Sequence, residues 1–362
     1  MNVETIFALR VCIVGPLPPP SGGMANQCEQ LARLWEQEGI PVVLVRTNPP
    51  YQPMWVGGVP ILRAMFRFVP YVFKLWRELG RADVVHIFAN SGWSWHLFSA
   101  PAVWIARLRG LRPIINYRGG NASSFLSRSG AVVLPTLRRA GAVVTPSIFL
   151  KRVFEKYEFD ADIVPNIIDL SRFKRRDRIE LNSEPHLIVT RNLEPIYDIP
   201  TAIRAFCVIK KRFVGARLTI AGSGPERAAL ESLVRQLDLR DNVIFSGRID
   251  NKEIPALYAS ADCMLNSSTV DNMPISILEA LACGVPVVST AVGGIPDMVE
   301  DDVSALLVPV GDAEFMGKQA IRILSDSRLA VRLISGGDKV AQSYSWPVVR
   351  KYWLEVYRKC QR

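Results

Sequence analysis

Short apolar runs alternate along the chain with segments whose apolar residues recur every three or four positions. Residues 10–15 predict a buried strand, followed by a stiff proline loop at 16–20 and a helix opened by Ser21-Gly22-Gly23. Met24, Cys28, Leu31, Ala32 and Trp35 give that helix one apolar stripe, and Gly39 ends it. Residues 42–45 form the next strand, completing a βαβ unit with parallel pairing. Strands follow at 84–88, 114–117 and 142–145, with another begun at Ile163. After a charged, polar stretch the alternation restarts. Strands are predicted at 187–190, 218–221, 243–245, 263–265 and 285–290, and helices at 201–211, 226–237, 254–261 and 346–359. The class is α/β, with two Rossmann-like domains at 1–173 and 186–345, a linker at 174–185 and a closing segment at 346–362.

Residues 65–79 (M-F-R-F-V-P-Y-V-F-K-L-W-R-E-L) depart from the simple amphipathic pattern, and Pro70 is expected to interrupt them. One reading lays this segment in a membrane interface, with Trp76 and the phenylalanines inserted and Arg67, Lys74 and Arg77 near headgroups. The other packs it on the sheet with its basic residues outward. Residues 93–112, also rich in Trp, Leu and Arg, share both readings. No run of eighteen uncharged apolar residues occurs, so no spanning helix is expected.

Composition adds little to the fold and more to the partners. A chain of 362 residues suffices for two core-bearing domains. Its six cysteines have neither CxxC nor zinc spacing and read as buried thiols of a reducing, cytoplasmic setting. Residues 1–10 lack the features of a secretory signal. The net charge of +10 is uneven: residues 1–173 carry 19 Lys+Arg against 11 Asp+Glu. An anionic membrane surface or a phosphate-linked acceptor fits this half; no zinc finger or aromatic–basic motif points to nucleic acid.

The chemistry concentrates in residues 270–290, VDNMPISILEALACGVPVVST. Asp271 stands in a loop before a helix that begins near Pro274, and Glu279 stands further along that helix. Free N–H groups at the helix start suit a phosphate, and a carboxylate further in can accept from the hydroxyls of a ribose. Together they form a seat for a sugar nucleotide. The loop Gly222-Ser223-Gly224-Pro225 begins like a dinucleotide fingerprint, but Arg227 holds the sixth position, which argues against a dehydrogenase.

This stretch resembles the retaining glycosyltransferases of family four, in which an acid-x7-acid motif ends in Glu-Ala-x-Ala-Cys-Gly-x-Pro-Val-Val; here Asp271 replaces the usual first Glu. The resemblance implies a GT-B fold, with two Rossmann-like domains, a deep interdomain cleft and a last helix that crosses back onto the first domain. It implies that Arg191 holds the donor diphosphate, aided by backbone N–H groups of the stretch Gly222 to Gly224 or of the stretch Asn272, Met273, Pro274 and Ile275. Glu279 is then expected to accept from the ribose and Asp271 to orient the donor sugar, with Arg248 near the base. The family's lysine position falls on Tyr197, which has no charge at neutral pH. Losing that charge could cost about 1.5–3 kcal/mol of leaving-group stabilisation. Gly22, Gly23, Arg118 and Gly119 are expected on the acceptor side. The family commonly has His where Arg118 stands; Arg cannot act as a base but can hold an anionic acceptor or the donor phosphate.

No metal or other cofactor is expected. Asp160-Ala161-Asp162 is the one Asp-x-Asp pair that could suggest a metal, and it lies outside any Gly/Ser loop. The expected function is retaining sugar transfer from a nucleotide sugar to a glycan or lipid-linked acceptor in polysaccharide or lipopolysaccharide assembly. The alternative is a weak or inactive scaffold of the same fold, prompted by Tyr197 and Arg118.

Overall fold

The computed structural model describes residues 9–19, 22–49, 60–175 and 182–361. The first run of elements is β1 (Val11–Gly15), α1 (Gly23–Gln37), β2 (Val42–Arg46), α2 (Pro60–Leu79), β3 (Val84–Ala89), α3 (Ala100–Leu108), β4 (Ile114–Tyr117), α4 (Ala122–Leu137), β5 (Ala142–Thr145), α5 (Ile148–Glu155) and β6 (Asp162–Ile163). The second is β7 (His186–Val189), α6 (Ile199–Arg212), β8 (Arg217–Ala221), α7 (Arg227–Gln236), β9 (Val243–Gly247), α8 (Ile254–Ala259), β10 (Cys263–Asn266), α9 (Ile275–Ala282), β11 (Val287–Thr290), α10 (Ile295–Met298), β12 (Leu306–Val308), α11 (Ala313–Ser325) and α12 (Ser327–Ser343). A last helix, α13 (Trp346–Cys360), closes the chain.

Two compact units result. One holds the chain up to Ile167 together with Trp346–Arg362; the other is Ile168–Ser345. Each has a parallel six-stranded sheet, ordered β2-β1-β3-β4-β5-β6 in the first and β12-β11-β10-β7-β8-β9 in the second. Parallel strands buried on both faces need helices on both sides. Alternation within β1 shows how the first sheet meets this need. Cys12 and Val14 join Tyr71, Leu75 and Val103 under α2 and α3. Val11 and Ile13 face the other way, into a core with Leu31 and Trp35 of α1 and Trp353 and Tyr357 of α13. In the second sheet, α6 and α11 cover one face, and α8 and α9 the other.

Polar groups join α13 to the rest of its unit. Trp35 Nε1 donates to Tyr357 Oη at 3.1 Å, and His86 Nδ1 lies 2.9 Å from the same hydroxyl. Asn116 Nδ2 stands 2.9 Å from His86 Nε2. An amide N–H there makes Nε2 the acceptor and puts the imidazole proton on Nδ1. Burial drives the His86 pKa well below its ordinary value, so the ring is a neutral structural link. Glu38 Oε1 accepts from Trp346 Nε1 at 3.0 Å and pairs with Arg350 at 2.7 Å.

Two sequence expectations need correction. Helix α2 runs through Pro70 without interruption. Pro70 and Phe66 are exposed, so the Phe66 carbonyl that loses its helical partner can be met by solvent. The boundary between units falls at Ile167–Ile168, not after residue 173. Ile167 packs into the core of the first unit, whereas Ile168 and Phe173 pack into that of the second. Gln27 fixes the change: its Oε1 accepts from Ile167 N, and its Nε2 donates to Ile167 O, both at 2.9 Å. Of the expected linker 174–185, residues 176–181 lie outside the described residues.

Gln27→Ala leaves the N–H and C=O of Ile167 buried without these partners. Its unfolding free energy should fall by about 2–4 kcal/mol in denaturant titration, whereas Glu29→Ala on the exposed side of the same helix should change little.

Candidate active site

In the second unit the chain runs from β7 outward through β8 and β9, then returns to place β10 on the opposite side of β7. Ligands of such sheets bind at the carboxyl ends of the strands beside this reversal. Arg191 stands two residues past the end of β7, Asn266 ends β10, and the loop from β10 carries Asp271 into α9.

Arg191 and Asp271 form an ion pair through Nη2 and Oδ2, with side chains only 12% and 13% exposed. Arg191 Nε donates to Asn266 Oδ1 at 3.0 Å, and Asn266 Nδ2 donates to Ser289 Oγ at 2.9 Å. Ser268 Oγ reaches both Asn266 Oδ1 and Asp271 Oδ2. Asp271 Oδ1 accepts from Asn272 N at 2.8 Å. Arg191 Nη1 makes no hydrogen bond among the described residues, so one edge of the guanidinium stays open. Burial lowers the Arg191 pKa, opposed by Tyr197, Tyr258 and Glu279. The Tyr197 ring lies 4.7 Å from Arg191 Cζ. The residue at the family's lysine position therefore supports Arg191 through its π face and adds no charge.

Glu279 occupies the second turn of α9. Tyr258 Oη donates to its Oε2 at 2.9 Å and lies 2.8 Å from Thr190 Oγ1. Glu279 Oε1 has no hydrogen-bond partner among the described residues. Burial raises the Glu279 pKa from 4.5 to about 7; the Tyr258 hydroxyl, Arg172 and Arg191 pull it down. The helix start ahead of it has no side-chain cap and no acidic residue in its first turn. Ser276 Oγ is buried there without a partner. Asn272, Met273 and Pro274 form the buried turn leading in.

One of the expected glycines departs from expectation. Gly222 N donates to Gly247 O at 2.8 Å, so this N–H is not free for a diphosphate. Gly222 and Gly224 also let the 191–193 loop approach: a Cβ on either would strike the carbonyl of Arg191 or Leu193. Gly293, at φ +57°, does the same beneath the Asp271 carbonyl. Arg248 is exposed after edge strand β9, two strands from β7.

In the first unit, Arg118 follows β4. Its Nε donates to Asn116 Oδ1 at 3.2 Å, its Nη1 donates to Asn166 Oδ1, and its Cζ lies 5.1 Å from the Phe88 ring. Both side-chain acceptors are neutral amides. Burial lowers its pKa from 12.5 to about 10, opposed by Cys28. Gly119 packs against Asn90 and Ser91, Gly22 caps α1 without a side-chain bond, and Gly23 begins that helix. Asp160 pairs with Lys151 and Asp162 with Lys359, each at 2.8 Å.

Structure thus gathers Arg191, Tyr197, Asp271 and Glu279 and adds residues that the sequence reading missed. Tyr258 and Arg172 come from outside the motif. Asn266, Ser268 and Ser289 left a faint signal as polar residues at the ends of apolar strands.

Residues 171–340 match the family described as glycosyl transferases group 1, and residues 21–172 match glycosyltransferase family 4. N-acetyl-alpha-D-glucosaminyl L-malate synthase of Bacillus anthracis is 35% identical over 177 residues, 47% of this chain and 46% of that enzyme. The chain therefore spans about half the length of that relative in the match. An uncharacterized glycosyltransferase of Methanocaldococcus jannaschii is 27% identical over 392 residues, covering 97% of this chain and 98% of that one. Among solved structures, Anabaena HepE in complex with UDP and glucose has the same fold: TM-score 0.73, 18% identity, covering 97% of this chain and 99% of that one.

The raised Glu279 pKa has a defined sign. Its contribution to stability is present in full below the ordinary value of 4.5 and is lost as pH rises through about 7. Glu279→Gln should therefore gain thermal stability relative to the parent between about pH 5 and 8, as measured by melting curves across that range. A constant difference would show that the carboxylate does not titrate there.

Proposed function

Because the chain belongs to the group 1, family-four glycosyltransferases and has the GT-B fold, we propose that it is a retaining hexosyltransferase that needs no metal. It moves a sugar from a nucleotide donor to a glycan or lipid-linked acceptor in cell-surface polysaccharide or lipopolysaccharide assembly. The observation that carries the donor role is the Glu279 carboxylate: Tyr258 anchors one oxygen and the other stays open, on the helix that follows the Arg191–Asp271 pair. An open carboxylate oxygen accepts from the vicinal hydroxyls of a ribose. The open edge of Arg191 and the uncapped start of α9 meet the charge that grows on the diphosphate as the sugar C1–O bond breaks. Asp271 holds Arg191 in place and, through its remaining lone pairs, orients the donor sugar.

In this reading the acceptor hydroxyl attacks C1 from the face that the diphosphate leaves, and its proton passes to a departing phosphate oxygen. Arg172, close enough to lower the Glu279 pKa, supplies part of the positive field that Tyr197 lacks. Arg118 receives an anionic group of the acceptor or of the donor phosphate, because its side-chain acceptors are neutral amides. HepE, whose crystals hold UDP and glucose, supports a nucleotide-sugar donor here by likeness of fold.

The test is a thermal-shift screen against UDP-, GDP- and ADP-sugars, with and without Mg²⁺. One sugar nucleotide at about 100 times its Kd should add roughly 2.7 kcal/mol of stability. The shift should not need Mg²⁺ and should vanish in Glu279→Ala. No shift with any donor, or an undiminished shift in the variant, would overturn the reading in favour of a non-catalytic scaffold. Donor binding without transfer to any acceptor would also favour the scaffold.

Arg118→Ala should leave donor affinity within about threefold and raise the acceptor KM by about tenfold or more if the anion belongs to the acceptor. A loss of donor affinity instead would assign Arg118 to the donor phosphate.

A further inference from the structure

The outer layer of the first unit combines two properties that rarely share a surface. Along α2, Phe66, Val69, Phe73 and Trp76 recur at helical spacing and point away from the core, while Tyr71, Leu75 and Leu79 point into it. Val69 is 61% exposed and Phe73 70%. The apolar surface continues on the next helices of the layer, with Trp104 and Leu108 on α3 and Val132 on α4; Leu108 is 74% exposed and Val132 65%. Side-chain contacts tie the three helices together. Arg109 donates from Nη2 to Trp76 O at 2.7 Å and lies over the Trp76 ring at 3.9 Å. Trp104 Nε1 donates to Thr136 Oγ1 at 3.1 Å, and Arg139 lies over the Trp104 ring at 4.4 Å.

The charge is as one-sided as the apolar pattern. Residues 60–140 hold twelve Lys+Arg and two Asp+Glu, so this segment alone accounts for the whole net charge of +10. Neither acid neutralises the face. Glu78 is buried and bound by Arg77, and Asp83 accepts from the Arg10 backbone N. Arg77, Arg107, Arg138 and Arg139 are exposed beside the apolar residues. A second copy of the chain laid on this face would set arginine against arginine. A surface of anionic headgroups over hydrocarbon satisfies both halves: aromatic and aliphatic side chains enter the acyl boundary while arginines pair with phosphates. No helix among the described residues is long and apolar enough to cross a membrane, so the contact lies on the surface.

We propose that the outer face of α2, α3 and α4 docks the protein on an anionic lipid bilayer. This goes beyond sugar transfer and is tested without donor or acceptor. The whole protein is floated with vesicles of phosphatidylcholine containing about one-third phosphatidylglycerol, and with vesicles of phosphatidylcholine alone. It should rise with the anionic vesicles, stay behind with the neutral ones, and be released by high salt. Phe73→Ser should lower the partition coefficient about tenfold. Arg107→Gln and Arg138→Gln should lower it about fivefold each. All three side chains are exposed, so melting temperatures should match the parent, and any donor-induced shift should persist in each variant. Absence of binding to anionic vesicles, or binding unchanged in Phe73→Ser and in Arg107→Gln/Arg138→Gln, would overturn the proposal. A concentration-dependent dimer abolished by Phe73→Ser, without vesicle binding, would assign the face to a second copy of the chain.

Discussion

The second unit is organised around a guanidinium and a carboxylate held almost out of water. Arg191 leaves the central strand β7, and Asp271 leaves the adjacent strand β10. Either charge alone would be costly at that depth, and the pair is tolerated because each partner is held by further hydrogen bonds. Asn266 Oδ1 accepts a hydrogen bond from Arg191 Nε, while Ser268 and the Asn272 backbone engage Asp271. The pair therefore fixes two loops, and those loops fix the entry to α9, on whose second turn Glu279 sits. Glycines make the arrangement sterically possible. Gly222 and Gly224 let the Arg191 loop settle, and Gly293 lets the backbone pass under Asp271.

Around this pair the two motif carboxylates take unlike positions. Asp271 is committed, with contacts at both oxygens. Glu279 is held by one oxygen and open at the other, and burial keeps its proton affinity near neutrality. The two carboxylates are therefore not interchangeable: Asp271 maintains a cation in place, and Glu279 keeps one oxygen without a hydrogen-bond partner among the described residues.

Much of this was legible in the sequence because its signals are local. Strand alternation, the helix stripe of α1 and the acid-x7-acid spacing each lie within a few turns or a single loop. Several other features could not be read because they join residues far apart. The Tyr258–Glu279 bond links a residue of α8 to the motif, and Arg172 enters from before the unit's first strand. The Gly222 N–H is taken by Gly247 on a neighbouring strand, a pairing that no Gly-x-Gly pattern discloses. The unit boundary moved for the same reason: a glutamine on α1 captures Ile167, 140 residues away. Pro70 misled in another way, since its rule is about lost hydrogen bonds and the exposed side of a helix can lose one to water.

The place of α13 bears on the order in which the molecule can be made. Val349, Trp353 and Tyr357 complete the core on one face of the first sheet, against Trp35 and His86. That helix leaves the ribosome only after all of Ile168–Ser345 has been synthesised. Domains of a growing chain generally fold in order from the amino end. Here the second unit has its whole sequence available first, while the earlier unit waits with Val11, Ile13 and Trp35 uncovered. The unit translated earlier is thus the later of the two to be finished, and a ribosome that stalls short of α13 leaves an apolar sheet face in want of its lid.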